Sequence, residues 1–388
     1  MNILFLDWDC FGKEDTLSTF KALGHHYTCF FHEDYQEMTS ESFTSAFTQA
    51  VSTEQFDCCF SYNYYPLLAT CCKNASIKYI SFVYDSPYVM LYSYTLVYPT
   101  NYVFLFDSML YQQFKSNGIH TVYYMPLPSN PYKIDSLLKL EHDVTSYQCD
   151  VSFVGSLYNE KHNLFDRIPL ENNEYLLGYL EGIMNAQQQV WGCNFIEDVL
   201  TPDIINQLQL LYPYQPNTSS VESPGYVYAN YFINRKLTQI ERLKYLDSIS
   251  QQHEVKLYTT NTSASVGNAL NMGPVHYNNQ MPYVFHYSKI NLNISLRSIQ
   301  SGIPLRCMDI MASGGFLLTN YQLDFMNDFV PGKDFVYYED QQDMLDKITY
   351  YLQHDLERET IAQNGRNKIK TGHTFETCFS LLFDIVFP

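Results

Sequence analysis

Short, continuous apolar runs recur along the first 130 residues and constrain the fold more than any other feature of the sequence. The runs are Ile3–Leu6, Tyr27–Phe31, Phe56–Phe60, Tyr79–Tyr84, Val103–Phe106 and Thr121–Met125. The segments between them are polar with helical spacing, and two of these, Glu14–Leu23 and Ser108–Asn117, are each followed by a glycine, as helix ends often are. Apolar runs that alternate with helices are typical of a parallel sheet covered on both faces. The sequence therefore predicts a Rossmann-like domain.

A second series of apolar runs follows a segment that contains prolines and mixed charge. We place a linker in that segment, at 131–149, between a first domain, 1–130, and a second domain, 150–370. The runs of the second series are Asp150–Val154, Val255–Tyr258, Ile290–Ile294, Phe316–Leu318 and Phe335–Tyr338. A mostly helical insertion is predicted at about 163–250, and a helix at 371–388 is predicted to cross back to the first domain. The chain is thus predicted to be an α/β protein with two Rossmann-like domains facing a central cleft.

The charge of the chain limits its partners. The sequence has 23 Lys and Arg against 41 Asp and Glu, which gives a net charge of −18. A protein that binds a phosphate backbone needs a basic surface, so no nucleic-acid partner is expected. A small anionic ligand remains compatible with this charge, because backbone amides and two or three basic groups suffice to hold it.

Cysteine usage and hydropathy bear on the compartment. The ten cysteines occur singly or in doublets and form no C-x-x-C pair, so we interpret them as reduced thiols, mostly small core residues of a cytoplasmic protein. The apolar run near the N-terminus is too short for a signal peptide and lacks a basic flank. No stretch approaches the length of a membrane span, so none is predicted.

The stretch 288–320 has the pattern of a strand, a loop and a short helix. Ile290–Ile294 reads as a buried strand, and Pro304 lies where the first turn of a helix is expected. Amides near Gly302 and Ile303 would then form an anion site at the helix start. Asp309, one turn or more further on, would be placed to accept hydrogen bonds from ribose hydroxyls. The alternative is a helix that carries an Arg306–Asp309 ion pair and has no ligand.

Four segments resemble the CgeB-like, or spore-maturation-type, glycosyltransferases, which are nucleotide-sugar-dependent enzymes of the GT-B fold. The segments read INLNISLRSIQSGIPLRCMDIMASGGFLLTNY, ERETIAQNGRNKIKTGHTFE, DVSFVGSLYNEKHNLF and ILFLDWDCFGKEDTLSTFKALGH. The first is the most specific of the four. The resemblance implies an enzyme of the Leloir type with a nucleotide-sugar donor, for which UDP-sugar is the commonest choice, and no further cofactor.

The resemblance also assigns residues of the second domain. In related GT-B transferases two acids stand eight positions apart and the second contacts the ribose, a place that Asp309 occupies. The position eight earlier is Ser301, which is not an acid, so donor-sugar recognition and stereochemistry stay open. Arg306 or Arg297 would supply charge to the diphosphate.

Three further positions follow from the same resemblance. Lys161 lies where relatives place a diphosphate-binding lysine, although a solvated lysine at a helix start is the alternative. The base would sit near GPVHYNN, lined by Val275 or Tyr277, and Tyr277 could equally belong to the core.

The first domain offers acceptor-side candidates. Asp85 ends a strand and precedes Ser-Pro, so it could be the general base that deprotonates an acceptor hydroxyl. The alternative is a carboxylate that forms a turn or caps a helix. Tyr62 and Asn63 end the preceding strand, where they could line an acceptor pocket or shape a turn.

Asp7 and Asp9 form an Asp-x-Asp pair after the first strand, a pattern that can hold a metal on a nucleotide diphosphate. We predict no metal here, because the pair precedes any nucleotide-binding unit and the chain turns directly afterwards into a helix near Glu14. Helix-start amides and basic residues of the second domain would stabilise the diphosphate instead. Gly12 would let this loop line the acceptor side.

The leading hypothesis is therefore a metal-independent glycosyltransferase that acts on a glycan, protein or cell-surface acceptor. One alternative is a nucleotide-sugar epimerase of the same fold, which would need several acid and base groups around the sugar. The other is a non-catalytic glycan-binding protein of a coat or surface assembly, which the serine at position 301 favours.

Overall fold

The computed structural model describes residues 1–140, 143–160, 163–216 and 220–388. The chain forms two compact units. Unit 1 comprises Met1–Pro128, Gln215–Ser223 and His373–Pro388, and unit 2 comprises Ser129–Tyr214 and Pro224–Gly372. Each unit contains a six-stranded parallel sheet.

The strands lie where the apolar runs predict them, within two residues at each end. In chain order they are β1 (Asn2–Leu6), β2 (His26–Phe30), β3 (Cys58–Tyr62), β4 (Lys78–Val83), β5 (Asn101–Leu105), β6 (Val122–Tyr124), β7 (Cys149–Val154), β8 (Val255–Tyr258), β9 (Leu270–Asn271), β10 (Ser288–Asn293), β11 (Leu317–Asn320) and β12 (Val336–Tyr338). The two-residue strand β9 has no counterpart among the predicted runs. The prediction of two parallel α/β sheets is confirmed.

Helices separate most of the strands. In chain order they are α1 (Lys13–Ala22), α2 (Glu41–Thr53), α3 (Pro66–Ala75), α4 (Ser108–Ser116), α5 (Pro131–Leu138), α6 (Glu174–Gln187), α7 (Ile196–Val199), α8 (Pro202–Leu211), α9 (Pro224–Val227), α10 (Asn234–Ser250), α11 (Met281–Tyr287), α12 (Leu305–Ala312), α13 (Phe325–Asp328), α14 (Gln341–Gln353), α15 (Asp355–Gly372) and α16 (Phe375–Val386). A π-helical turn, Tyr228–Ile233, joins α9 to α10.

Strand β1 shows why these runs form a covered sheet. Leu4 lies in a core cluster with Phe43 and Phe47 of α2 on one face of the sheet. Phe5 points to the other face, where its ring stacks on Phe60 at a centroid distance of 5.8 Å. Helices α1 and α16 cover that second face through Phe20 and other aromatic side chains. Both faces are therefore apolar, as the continuous runs indicate.

Two features of the segments between the strands differ from the sequence analysis. The predicted linker contains α5, whose Pro131 occupies the first turn, where a missing N–H costs nothing, and whose N-cap Asn130 accepts a hydrogen bond from the amide of Lys133. The proline is thus part of a helix start and not an interruption. Residues 215–216 and 220–223, which lie between α8 and α9 within the predicted helical insertion, belong to unit 1.

The order of the strands singles out one position in each sheet. Unit 1 has the order β2-β1-β3-β4-β5-β6, and unit 2 has the order β12-β11-β10-β7-β8-β9. The direction of strand succession reverses between β1 and β3 and between β7 and β10. At such a switch point the connections leave in opposite directions and open a crevice beyond the carboxyl ends of the strands, where ligands bind in open parallel sheets.

Cysteine placement agrees with the sequence analysis. All ten cysteines are free, and eight of them are buried. Across the described ranges, no helix is both long enough and apolar enough to cross a membrane.

Candidate functional site

Helix α12 begins at the switch point of unit 2. Its N-cap is Pro304, which offers no side-chain acceptor. The amides of Leu305 and Arg306, and those of Gly302 and Ile303 before them, meet no hydrogen-bond acceptor within the described part of the chain. The first turn of a helix carries partial positive charge, so these amides can bind an anion.

The Arg306 side chain adds a full positive charge to this helix start. Its Nη1 donates to Asn293 Oδ1 at 3.1 Å. No carboxylate among the described residues lies within ion-pair distance of Arg306. Burial lowers the pKa of its guanidinium. The side chain is half-buried, and no carboxylate of residues 1–140, 143–160, 163–216 or 220–388 neutralises its charge.

Gly155, the first residue after β7, makes room for that guanidinium. A Cβ atom at this position would lie 2.5 Å from Nη2 of Arg306, and the φ angle of +152° disfavours other residues as well. Arg242 lies behind the same strand end and donates to the backbone oxygens of Ser156, at 2.6 Å, and Ile294. Burial lowers the pKa of Arg242 to about 10, and the charge of Arg306 contributes to that shift. Two arginines therefore concentrate positive charge at the carboxyl ends of β7 and β10.

The loop after Gly155 is held by its own side chains. Glu160 Oε1 accepts hydrogen bonds from Ser156 Oγ at 2.7 Å and from the amide of Leu157 at 3.2 Å. Lys161, the predicted diphosphate ligand, lies outside the described residues.

Asp309 lies one turn further along α12 and is 7% exposed. Its Oδ1 accepts from Ser129 Oγ at 2.6 Å, and its Oδ2 accepts from the hydroxyl of Tyr277 at 2.9 Å. Because the Arg306 guanidinium turns to Asn293, the intrahelical Arg306–Asp309 ion pair is not formed. The structure thus brings together two residues that the sequence analysis assigned to the nucleotide from separate segments, Asp309 and Tyr277.

Val275 and Ile303 lie close to this pair. Ile303 is buried in the core cluster that also contains Met308, and Val275 packs half-buried against the same cluster. Ile303 can therefore contribute its amide to a ligand, while its side chain serves the core.

Arg297 does not belong to the site, and this assignment is corrected. Its guanidinium forms a buried ion pair with Glu241 in α10, with Nε donating to Oε2 at 2.9 Å. Its Nη1 donates to Val190 O at 2.8 Å, and the group lies 3.5 Å from the centre of the Trp191 ring. Because its charge and donors are taken up by the helical insertion, Arg297 cannot meet a diphosphate.

Ser301, at the position of the first acid in related transferases, is fully buried. Its backbone oxygen accepts a hydrogen bond from the amide of Asp324 at 3.1 Å. The loop that precedes α12 therefore presents no carboxylate at this position.

In unit 1, Asn63 holds Asp85 at the carboxyl end of β4. Asn63 Nδ2 donates to Asp85 Oδ2 at 2.7 Å, and its Oδ1 accepts from the amides of Tyr84 and Asp85, both at 3.2 Å. Asn63 has a left-handed φ of 57° and is buried, whereas Asp85 is exposed. Asn63 is therefore a positioning residue, and the carboxylate of Asp85 reaches the surface.

Tyr62 is a packing residue and does not line an acceptor surface, which corrects the sequence analysis, while Gly12 is half-buried beside it and its acceptor-side assignment stays a prediction. Tyr62 is 4% exposed and its hydroxyl shares a 2.6 Å hydrogen bond with Thr16 Oγ1. A Cβ atom on Gly12, whose φ is +77°, would lie 3.2 Å from that hydroxyl and 3.3 Å from Phe375 of α16. The glycine thus permits close contact between the loop and the core.

Asp7 has a structural role. Its Oδ1 lies 2.5 Å from Nζ of Lys13, in the first turn of α1. In the ranges that the structure describes, no group of three His, Cys, Asp or Glu side chains is placed to hold a metal ion.

Sequence reasoning did not identify several residues that lie at the carboxyl ends of the strands in the two sheets. Gly155 was visible as the glycine that follows an apolar run in VSFVGS. Asn293 lies 13 residues before the arginine that donates to it and was not singled out. Ser129 and Arg242 carry no local signal, because their partners lie far away in the sequence. Ser129 and Asp309, for example, are separated by 180 residues.

Comparison with solved structures defines the class of fold as GT-B. A sucrose-phosphate synthase from Thermosynechococcus elongatus is 9% identical, with a TM-score of 0.56, and the match covers 100% of this chain and 99% of that chain. A glycosyltransferase from Rickettsia africae is 11% identical, with a TM-score of 0.55 and coverage of 99% and 97%. HepE from Anabaena, solved with UDP and glucose, is 12% identical, with a TM-score of 0.50 and coverage of 100% and 99%. At such low identity the likeness establishes the fold alone.

A protein-family model also matches part of the second half of the chain. The model described as glycosyl transferase-like matches residues 242–383, which include Arg306 and Asp309. No curated protein matches the chain. Membership of the CgeB-like group stays a prediction.

Proposed function

We propose that the protein is a glycosyltransferase that moves a sugar from a UDP-sugar to a glycan or protein acceptor. The observation that carries the proposal is Arg306, which packs against Gly155 beside the first amides of α12 and has no counter-ion in the part of the chain that the structure describes. The glycosyl transferase-like match over 242–383 supports it. The choice of UDP is supported by similar folds solved with UDP and glucose, and by a UDP-forming trehalose-phosphate synthase from Burkholderia vietnamiensis.

In this proposal unit 2 binds the donor. The diphosphate accepts hydrogen bonds from the amides of Leu305 and Arg306 and from the Arg306 guanidinium, which stabilises it as it leaves. The ribose hydroxyls replace the hydroxyl of Tyr277 or Ser129 on the Asp309 carboxylate. The two arginines at the strand ends keep the local potential positive in a chain of net charge −18.

Unit 1 supplies the base. As the acceptor oxygen forms its bond to the anomeric carbon of the sugar, the bond from that carbon to the diphosphate oxygen breaks. The acceptor proton passes to Asp85, which Asn63 holds in place. The amides and Arg306 stabilise the leaving diphosphate, so we propose that transfer proceeds without a metal ion.

The experiment is a calorimetric titration of the protein with UDP, GDP and dTDP. We expect UDP to bind, and Arg306→Ala and Asp309→Ala each to weaken binding by about ten- to a hundredfold, since a lost hydrogen bond to a charged group costs roughly 1.5–3 kcal/mol. Lys289→Ala is the matched control, because Lys289 carries an exposed positive charge at the opposite end of β10, in an ion pair with Asp150. An unchanged dissociation constant in Arg306→Ala, with the fold intact, would remove the proposed donor site.

One specific observation favours a second candidate, a non-catalytic glycan-binding protein. Ser301 presents no acid at the position where related transferases have one, and it is fully buried. If UDP binds but no UDP is released from UDP-sugars over a broad panel of acceptors, the second candidate replaces the first.

A further inference from the structure

We propose that unit 1 binds a neutral saccharide chain on a cluster of aromatic side chains at the switch point of its sheet. The aromatic platform consists of Trp8, Tyr35, Tyr65 and Tyr84. The inference deepens the proposed function, on which it rests for one point only: that the bound saccharide is the acceptor.

The position of the platform is the first argument. Trp8 follows β1, Tyr65 follows β3 and Tyr84 follows β4, so the rings gather at the carboxyl ends of neighbouring strands. The strand order reverses between β1 and β3, and open parallel sheets bind their ligands at that point. Asp85, the proposed base, follows Tyr84 directly.

The arrangement of the rings is the second argument. Trp8 stacks on Tyr35 with an interplanar angle of 17° and a centroid distance of 6.1 Å. Tyr65 meets Trp8 edge-on at 6.5 Å, and Tyr84 lies tilted at 6.3 Å from it. Trp8, Tyr35 and Tyr84 remain partly exposed. The rings support one another and leave a partly open aromatic surface whose centre is the indole of Trp8.

Two polar groups of the platform, the Tyr65 hydroxyl and the Trp8 indole N–H, are placed to meet a ligand. Tyr65 is 3% exposed as a whole residue, but its hydroxyl is not among the buried polar atoms that lack a partner, so solvent or a ligand can reach it. The Tyr65 ring lies 5.2 Å from that of Tyr35, and burial raises the pKa of its phenol, as do Tyr88, Tyr35 and Tyr84 to a smaller extent. The indole Nε1 of Trp8 makes one long contact, 3.4 Å, to the backbone oxygen of Tyr62. A hydroxyl that solvent reaches can hydrogen-bond to a polar ligand in place of water.

The charges select the class of ligand. Asp9 and Asp85 are exposed near the platform, and the nearby Lys13 is paired with Asp7. None of the cation–π contacts among the described residues involves a ring of the platform. An anionic ligand is therefore disfavoured. A sugar ring presents C–H groups to an aromatic face and hydroxyls to its edge, which matches stacked rings whose edges carry polar atoms.

The test uses the small number of tryptophans in the chain. There are two, Trp8 and Trp191, so Trp191→Phe leaves Trp8 as the only fluorescent indole. Titration with neutral trisaccharides of glucose, galactose and N-acetylglucosamine, without any nucleotide, is expected to change the Trp8 emission with at least one of them. Trp8→Phe, which retains Trp191, is expected to show no change. If Trp191→Phe does not fold, the two indole N–H signals of the wild-type protein are followed by NMR and assigned with Trp8→Phe.

Affinity measurements on variants complete the test. Trp8→Ala is expected to weaken saccharide binding by about tenfold or more, and Tyr65→Phe by a few-fold, because the first loses the stacking surface and the second only the hydroxyl. Tyr94→Ala is the control, since Tyr94 is an aromatic residue of unit 1 that is 66% exposed away from the platform. The proposal is overturned if no saccharide perturbs Trp8, if binding survives in Trp8→Ala, or if only a cationic ligand or a peptide binds. Because no donor is present, these outcomes are independent of the UDP titration that tests the proposed function.

Discussion

The carboxyl edges of the two sheets have the same architecture and opposite chemistry. Both sheets are parallel and six-stranded, with a switch point beside the first strand of the unit. At the edge of unit 2, Arg306 and Arg242 have no carboxylate in contact among the described residues, and they lie beside the uncapped amides of α12. At the edge of unit 1, Asp85 and Asp9 are exposed around aromatic rings, and Lys13 is paired with Asp7.

The difference shows how one backbone plan can serve two kinds of ligand. The strand order fixes where a crevice opens, and the residues in the few positions after each strand fix which charge it accepts. The cationic edge suits a diphosphate, and the anionic, aromatic edge suits an uncharged acceptor that must lose a proton. The net charge of the chain, −18, conceals this local division.

Removal of the Asp85 carboxylate from the edge of unit 1 should have the largest effect on the rate of sugar transfer. Asp85→Asn is expected to lower the rate of transfer by roughly 10²–10⁴, the usual contribution of a positioned base, while UDP affinity stays the same. Initial rates of UDP release with saturating donor would measure it. Asp57→Asn, at the amino end of β3 in the same sheet, serves as the control. Transfer by Asp85→Asn at the wild-type rate would reduce Asp85 to a turn residue and leave unit 1 without its proposed base.

The buried ion pair of unit 2 should affect stability and not ligand binding. Glu241→Ala leaves the Arg297 guanidinium buried without a counter-ion, so it should lower the free energy of unfolding by about 3–5 kcal/mol. Thermal and denaturant unfolding would measure the loss.

A double variant separates that structural role from phosphate binding. Glu241→Leu combined with Arg297→Met replaces the pair by apolar groups and should recover most of the stability. The dissociation constant for UDP should equal that of the wild type. A large loss of UDP affinity in a well-folded double variant would return Arg297 to the donor site.

Chelation of divalent metal ions should have the smallest effect on the rate of sugar transfer. We expect the rate of transfer to be unchanged in excess EDTA, because amides and Arg306 stabilise the leaving diphosphate and Asp7 is held by Lys13. Rates measured with EDTA and then with added Mg²⁺ or Mn²⁺ would show it. Loss of activity in EDTA and its rescue by Mn²⁺ would make Asp7 and Asp9 candidates for a metal site and give the edge of unit 1 a role in donor binding.

The sequence was sufficient to predict the sheets, because the signal for a buried parallel strand is local. A run such as Ile3–Leu6 is apolar on both faces wherever it occurs, and its neighbours along the chain supply the helices that cover it. Strand β9, with two residues, is too short to carry such a signal. The start of α12 was also predictable, since Pro304 marks it directly.

The partners of charged side chains were not predictable in the same way. Arg297 and Arg306 are nine positions apart and look alike in the sequence, yet only Arg297 meets Glu241, which lies 56 residues away. Tyr62 was assigned to an acceptor surface because it ends a strand, and its hydroxyl instead meets Thr16, 46 residues away. Such pairings depend on how distant segments pack, which no single-sequence pattern reports.

Helix α16 has a consequence for the synthesis of the protein. Phe379 packs against Phe20 of α1 and Phe60 of β3, and Lys78 donates to the backbone oxygen of Val386 at 2.6 Å, so the core of unit 1 includes residues 375–386. Unit 1 cannot close its core when its six strands leave the ribosome, because about 250 residues of other chain come first. At roughly 5–20 residues per second this delay lasts about 10–50 s. During that interval the residues of unit 2, which end at Gly372, are synthesised, while α1 alone covers one face of the first sheet and part of its apolar surface stays exposed until α16 emerges.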